Sequence, residues 1–382
     1  MTTLKRETII TNNLEIPENN INDVDATEEY NSTGLYIIPS SNIPGRPSNT
    51  TGYLLTASNS QGKIALKNPQ PNNSYIYSRI VADTWYPESA AEANNWRSVT
   101  WSPELELFVS VANSGTNRVM TSPDSVTWTA QSAAEANQWR GVTWSPELGL
   151  FVAVANSGTN RVMTSLDGVT WTARAAAEAN SWVSVTWASE LGLFVAISLD
   201  GTNRVMTSTD SVTWTARTAA EANSWVSVTW SPELRLFVAV SSDGTNRVMT
   251  SSDGITWTTR TAAEANQWTS VTWASELDIF IAVSSDGTNR VMTSPDGITW
   301  TAREAAEANQ WTSVTWSPEL LLFVAIANSG TNRVMTSSDG VTWAARAATE
   351  ANNWADITWS PELGIFVAVS RNGTNRVMRT IL

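Results

Sequence analysis

A segment of 43 residues returns seven times along this chain without one insertion or deletion. Its first marker is the Trp of Asn-x-Trp, at Trp96, Trp139, Trp182, Trp225, Trp268, Trp311 and Trp354. Five residues later, Trp101, Trp144, Trp187, Trp230, Trp273, Trp316 and Trp359 each close a Val-Thr-Trp or Ile-Thr-Trp run. A third series, Trp85, Trp128, Trp171, Trp214, Trp257, Trp300 and Trp343, accounts for the rest of the 21 tryptophans. Seven equal units must bury equivalent faces against one another, which restricts the chain to a repeat architecture.

Within each unit, short β-rich runs alternate with turn residues, and no long 3.6-residue periodicity is present. In the second unit the spacing predicts strands over Gly141 to Ser145, Leu150 to Ala155, Asn160 to Ser165 and Thr170 to Ala173. Pro146-Glu147-Leu148, Asn156-Ser157-Gly158 and Asp167-Gly168 supply the turns between them. Four strands per 43-residue unit predict an all-β fold, a seven-bladed β-propeller. The chain ends support a closed ring. Trp85 precedes the first complete unit, whereas the last unit stops after three strands, at Asn375 to Leu382. The strand around Asp83-Thr84-Trp85 is therefore expected to complete the last blade and pair two otherwise open edges. Residues 1–73 read as a polar N-terminal arm and residues 74–382 as the propeller.

Cysteine and histidine are both absent. Thiolate nucleophiles, imidazole bases and soft metal sites are thereby excluded, and any catalysis would rest on carboxylates, Tyr or Arg. No metal motif or cofactor motif is found, and no EF-hand pattern is present. The net charge of −13 repels nucleic acid and anionic lipid, so neither is expected as a partner. The opening residues are polar, and no run is apolar enough to span a bilayer. Neither a signal peptide nor membrane insertion is therefore expected.

The turn before the fourth strand reads Ser-Pro-Asp-Ser-Val-Thr-Trp at Ser122 to Trp128 and Ser-Leu-Asp-Gly-Val-Thr-Trp at Ser165 to Trp171. It recurs at Asp210, Asp253, Asp296 and Asp339, and Val81 takes the Asp place ahead of Trp85. This turn resembles the Asp-box, or BNR, repeat of sialidase-like propellers, one residue shorter. The resemblance implies a folding role: Ser and Asp bond the turn backbone, and Trp fills the core. Sialidase chemistry would also demand a tyrosine nucleophile and an arginine cluster for the substrate carboxylate. All six tyrosines, Tyr30, Tyr36, Tyr53, Tyr75, Tyr77 and Tyr86, precede the first full unit. The arginines read as spread one per blade. No catalytic residue is assigned, and the chain is not expected to be an enzyme.

Chain direction places the blade-to-blade loops and the turns between second and third strands on one face. That face gathers Glu92, Glu135, Glu178, Glu221, Glu264, Glu307 and Glu350 from Ala-Glu-Ala-Asn or Ala-Thr-Glu-Ala-Asn loops. Beside them lie Asn117, Asn160, Asn203, Asn246, Asn289, Asn332 and Asn375, each followed by Arg118, Arg161, Arg204, Arg247, Arg290, Arg333 or Arg376. Two readings stay open. These Asn and Arg residues, with the Trp96 series, form seven sugar-type grooves of planar hydrogen bonds and an apolar ring. Alternatively, Arg and Glu pair across the blade junctions while Asn pins the turn. Residues beside the first Trp vary from unit to unit, as in Trp96-Arg97, Trp139-Arg140, Trp182-Val183 and Trp268-Thr269, which places them toward solvent or a partner.

The arm is rich in Asn, Ser, Pro and Thr and carries short alternating segments, Gly34-Leu35-Tyr36-Ile37-Ile38-Pro39 and Gly52-Tyr53-Leu54-Leu55-Thr56. In style it resembles the attachment segments of phage or large-virus fibre and capsid-surface proteins. The resulting expectation is a non-catalytic virion or extracellular surface protein, anchored by its arm to other virion or surface proteins and displaying a propeller for structural contact or host-glycan binding. An intracellular protein-interaction scaffold is the alternative, and a sialidase-type hydrolase the third reading.

Overall fold

The structure, a computed structural model, describes residues 84–380. By internal contacts the chain divides into Met1–Val81 and Ala82–Leu382. The arm, the clasp position Val81 and all tyrosines except Tyr86 lie outside the described residues.

Among the described residues, twenty-eight strands, β1 to β28 in chain order, form seven antiparallel sheets of four. The first blade contains β2 (Trp96–Ser102), β3 (Leu107–Ala112), β4 (Val119–Ser122) and β5 (Thr129–Gln131), hydrogen-bonded in that order. Units two to six repeat it. In the last blade, β26 (Trp354–Ser360), β27 (Ile365–Ser370) and β28 (Val377–Thr380) are completed by β1 (Trp85–Glu88) from the start of the ring. Trp85 pairs with Thr380 and Glu88 with Val377, and the Arg379 Nε contacts Glu88 Oε1 at 2.9 Å. The ring therefore closes as the sequence ends predict.

Strand content explains why these sheets stack. Leu107–Ala112 reads Leu-Phe-Val-Ser-Val-Ala, and Val119–Ser122 is buried at every position. Because blades cover both faces, apolar residues run on without alternation. Each core is shared between neighbours: Val109, Val111 and Val119 of the first blade pack on Trp139, Trp144, Phe151 and Met163 of the second. The seam between ends is built alike, with Val367, Val369 and Val377 against Trp96, Trp101 and Phe108.

Every tryptophan series has a fixed structural task. The Trp96 series is completely buried, and its indole N–H donates to the Glu92 carbonyl or its equivalent. In the second series, the Trp144 indole N–H donates to Glu104 of the preceding blade at 2.6 Å, and Trp230 does so to Glu190. Trp187 of this series is half-buried, whereas the other members are core. In the third, Asp167 Oδ1 accepts the backbone N–H of Val169 and Thr170, and the Trp171 indole N–H donates to the Gly168 carbonyl.

Three strands of the second blade have limits that differ from the sequence reading. The innermost strand of the second blade is Trp139–Ser145, two residues longer at its start, while the third is Val162–Ser165 because Asn160 and Arg161 belong to the turn. The fourth, Thr172–Arg174, begins only after Trp171. The early start of the first strand carries a register shift: Trp96 pairs with Ala112 and Ser98 with Val111, which leaves Arg97 as an extra, unpaired residue. This is a β-bulge, which twists a strand and re-aims a side chain.

Candidate functional site

The Asn and Arg rings occupy the face predicted for them, and their bonds are internal. The Arg161 Nη1 donates to the carbonyls of Ala179 and Asn180 in the next blade, at 2.7 and 2.8 Å, while its Nε donates to the Gly158 carbonyl at 3.1 Å. Arg376 does the same across the seam, donating to the Asn94 carbonyl at 2.7 Å. Arg118, Arg290 and Arg333 likewise reach the next blade. Arg204 and Arg247 bond carbonyls of their own turns.

Glu135 stays within its own blade. It accepts the Asn160 side-chain amide at 2.6 Å, the Asn160 backbone N–H at 3.0 Å and the Asn137 amide at 3.0 Å. The Asn160 side-chain bond, opposed by burial and aided by the other two donors, holds its carboxyl below the usual range. The same triangle joins Glu92, Asn117 and Asn94. Arg therefore does cross the blade junction, but to carbonyls, and Glu binds Asn instead of Arg. A guanidinium such as that of Arg161, which also reaches the Asn156 carbonyl and so meets four, satisfies turn acceptors that would otherwise be unpaired.

The Trp96, Trp139, Trp182, Trp225, Trp268, Trp311 and Trp354 rings have no exposed face. Stacking on a sugar requires such a face, so the expected aromatic contribution to grooves is corrected: these rings are wedges between sheets.

A different set of residues converges on the channel axis. A cavity of about 230 Å³ opens there, lined by the bulged residue of each innermost strand and the residue after it. Around the ring the bulge positions are Arg97, Arg140, Val183, Val226, Thr269, Thr312 and Ala355. The following positions are Ser98, Gly141, Ser184, Ser227, Ser270, Ser313 and Asp356. Arg371, where other units have Asn, Leu or Ser, joins from the last blade. Seven near-identical blades thus form an uneven mouth, cationic over the last, first and second blades and neutral over the others.

The seryl positions form a hydrogen-bonded belt below the arginines. Ser98 Oγ accepts the Val142 N–H at 3.3 Å, and Ser270 Oγ accepts the Val314 N–H at 3.2 Å. Asp356 breaks the pattern. Its Oδ2 accepts the Ser98 hydroxyl at 2.8 Å and the Val99 N–H at 3.0 Å, and its Oδ1 accepts the Ser313 hydroxyl at 2.7 Å and the Ile357 N–H at 3.0 Å. Burial pushes this carboxyl above its ordinary value, against the pull of those donors. Both oxygens are engaged by neutral donors.

The three channel arginines are held differently from the Arg118 series. The buried Nε atoms of Arg97 and Arg371 have no hydrogen-bond acceptor. Leaving such a donor unpaired costs roughly 1–3 kcal/mol. Burial, together with the Arg371 and Arg140 charges, lowers the Arg97 guanidinium to about 9. Burial and the Arg371 charge lower Arg140 to about 10. The expectation that arginines spread one per blade holds for the Arg118 series, and Arg174 and its equivalents repeat in blades two to six, but these three cluster. Their sequence signal was present in the residues flanking the first Trp, but nothing local marks them as bulged, and Arg371 had no visible link to them.

No family model matches the sequence, and no curated protein matches it. Solved structures do share its fold. A catalytically inactive virginiamycin B lyase from Staphylococcus aureus with quinupristin has a TM-score of 0.68 at 11% identity, covering 78% of this chain and 99% of that one. YCF48 bound to D1 peptide gives 0.58 at 15% identity, covering 78% and 95%. The β-propeller domain of Cps50 (Swd1) from Myceliophteria thermophila gives 0.58 at 9%, covering 78% and 100%. At these identities the likeness establishes the seven-bladed propeller and nothing about ligand or activity.

Proposed function

We propose that this chain is a non-catalytic recognition propeller, held through its N-terminal arm on a virion or other surface and taking its ligand at the mouth of the central channel. The observation that carries the reading is where the blades differ. A single ligand needs a site without sevenfold symmetry, and the bulge ring supplies it, with Arg97 and Arg140 sharing one cavity with Val183, Val226 and Ala355. Bulges beside a rigid sheet are a known means of aiming side chains at a ligand.

Non-catalytic recognition is supported by the chemistry at hand. The cavity holds one carboxylate, Asp356, and both its oxygens are occupied. Among the described residues the one tyrosine, Tyr86, lies on the clasp strand at the outer edge of the last blade. A host glycan fits a surface protein; a peptide is the second reading, since YCF48, of the same fold, is seen with the D1 peptide.

The test is an array of glycans and peptides probed with the full chain and with Val226→Trp, which fills the mouth without altering charge. Loss of the ligand in the variant, at an unchanged melting temperature, supports the reading. Undiminished binding would place recognition elsewhere, and turnover of a fluorogenic glycoside would remove the non-catalytic assignment.

A further inference from the structure

We infer that the mouth binds a tetrahedral oxyanion, a phosphate or sulfate ester carried on a larger ligand, between Arg97, Arg140 and Arg371. This rests on the reading of the mouth as the recognition site and names the chemistry that the site selects. Four observations converge on it.

The first is placement. Arg97 and Arg140 are bulge residues, freed from strand pairing and directed into the cavity, and Arg371 reaches the same cavity from the turn after β27. The second is lack of acceptors: the buried Nε of Arg97 and of Arg371 meets none. On the same face Arg161 is satisfied by four carbonyls, so the fold pairs guanidinium groups where they serve the frame, whereas at the mouth the Nε of Arg97 and of Arg371 is left without an acceptor.

The third concerns neutralisation. Asp356 accepts from two hydroxyls and two backbone N–H groups, and it offers no open lone-pair direction to the arginines. Burial first, and then the charges of Arg371 and Arg140, depress the proton affinity of Arg97. An incoming anion offsets the repulsion within the cluster.

The fourth is shape. Three planar forks arriving from three neighbouring blades face oxygens pointing in several directions, which a tetrahedral group presents and a planar carboxylate does not. The facing half of the ring, Val183, Val226, Thr269 and Thr312, carries no charge, and both threonine hydroxyls are tied to backbone carbonyls. That half accommodates the body of the ligand. A cavity of about 230 Å³ is many times the room one water requires.

The repeat itself supplies substitutions that the fold already tolerates. Arg97→Val copies Val183 and Val226, and Arg371→Asn copies Asn113, Asn156 and Asn328. Titrations of the full chain with inorganic phosphate, inorganic sulfate and acetate at matched ionic strength, read by calorimetry and melting temperature, test the assignment. Phosphate and sulfate are expected to bind at least about tenfold more tightly than acetate, and each Arg variant to lose at least about tenfold. Arg161→Ala is expected to keep the affinity. N-acetylglucosamine 6-sulfate and 6-phosphate, run in parallel, identify which ester the site prefers.

Acetate binding as tightly as phosphate, or phosphate affinity retained in both Arg variants, overturns the inference. So does the absence of heat and of any melting shift with either dianion. A neutral ligand blocked by Val226→Trp but indifferent to Arg97→Val would remove the oxyanion and leave recognition at the mouth standing.

Discussion

The indole N–H of Trp101 donates to the Glu362 carboxylate at 2.6 Å, joining the innermost strand of the first blade to a turn of the last across 261 residues of sequence. The same bond links Trp144 to Glu104 and Trp273 to Glu233, so the seam between the chain ends is fastened like any interior junction. Glu362 is exposed, which puts the bond at the low end for a charge-assisted contact. Glu362→Ala is expected to cost about 1 kcal/mol, roughly 2 °C in melting temperature, and Glu233→Ala the same. Calorimetric scans of both variants check it; a much larger loss at Glu362 would show the seam to be the weak point.

Deleting the residues through Glu88 removes the strand that covers β28. An open sheet edge and the exposed face of Trp359 should then drive aggregation, because an unpaired edge is a template for another chain. Size-exclusion chromatography reads the outcome, and a monodisperse product melting like the intact chain would contradict the clasp.

Gly158 adopts φ +108°, and a Cβ there would come within 1.8 Å of the Asn137 Oδ1. Asn137 also binds Glu135 and the Asn160 carbonyl, so it cannot withdraw without breaking the turn. Gly158→Ala is expected to cost more than about 2 kcal/mol. Gly149, at φ +61° with nothing within 4 Å, should lose only about 1 kcal/mol on the same change. Urea denaturation distinguishes the two.

Asp356→Ser restores the residue that most units carry, allowing the Val99 N–H to find a hydroxyl as the Val142 N–H finds Ser98. It should be close to neutral. Asp356→Asn turns an amide donor toward groups that already donate, and is expected to cost about 1–3 kcal/mol. Equal stabilities of the two variants would refute this account of the belt.

Acid should unfold the propeller cooperatively. Backbone N–H groups of Thr213 and Val212 hold Asp210 below its ordinary value, and the Asn160 amide and backbone do the same for Glu135. A carboxyl depressed in the folded state stabilises it above the unfolded value, near 4, and loses that contribution as pH falls toward the folded one. Asp356, shifted the opposite way, contributes nothing to this loss. Melting temperature should therefore be flat at neutral pH and drop steeply below about pH 4. A midpoint unchanged down to pH 2 would contradict it.

The frame was legible because it is written seven times. Trp spacing, turn residues and the missing fourth strand together predict seven sheets and their closure, and the Trp85 to Thr380 pairing agrees. What the Arg118 series does was not legible, since a turn arginine looks the same whether it meets carbonyls or a ligand. The mouth was hidden for another reason. Variation at Arg97, Val183 and Thr269 is visible, but its direction depends on a bulge, and a one-residue register shift cannot be seen in residues that are apolar or hydroxylated on both sides. Arg371 lies 274 positions from Arg97 by subtraction of their numbers, and only the closed circle makes them neighbours.

The shared blade makes the ring modular. Its two complementary ends recognise each other, not the count of units between them, so loss or gain of one 43-residue cassette leaves the fastening intact. The fully buried Trp96-type wedges are the same at every junction, the seam included. Exchange of a single cassette therefore changes one bulge residue on the rim and leaves the sheets of the wheel as they are.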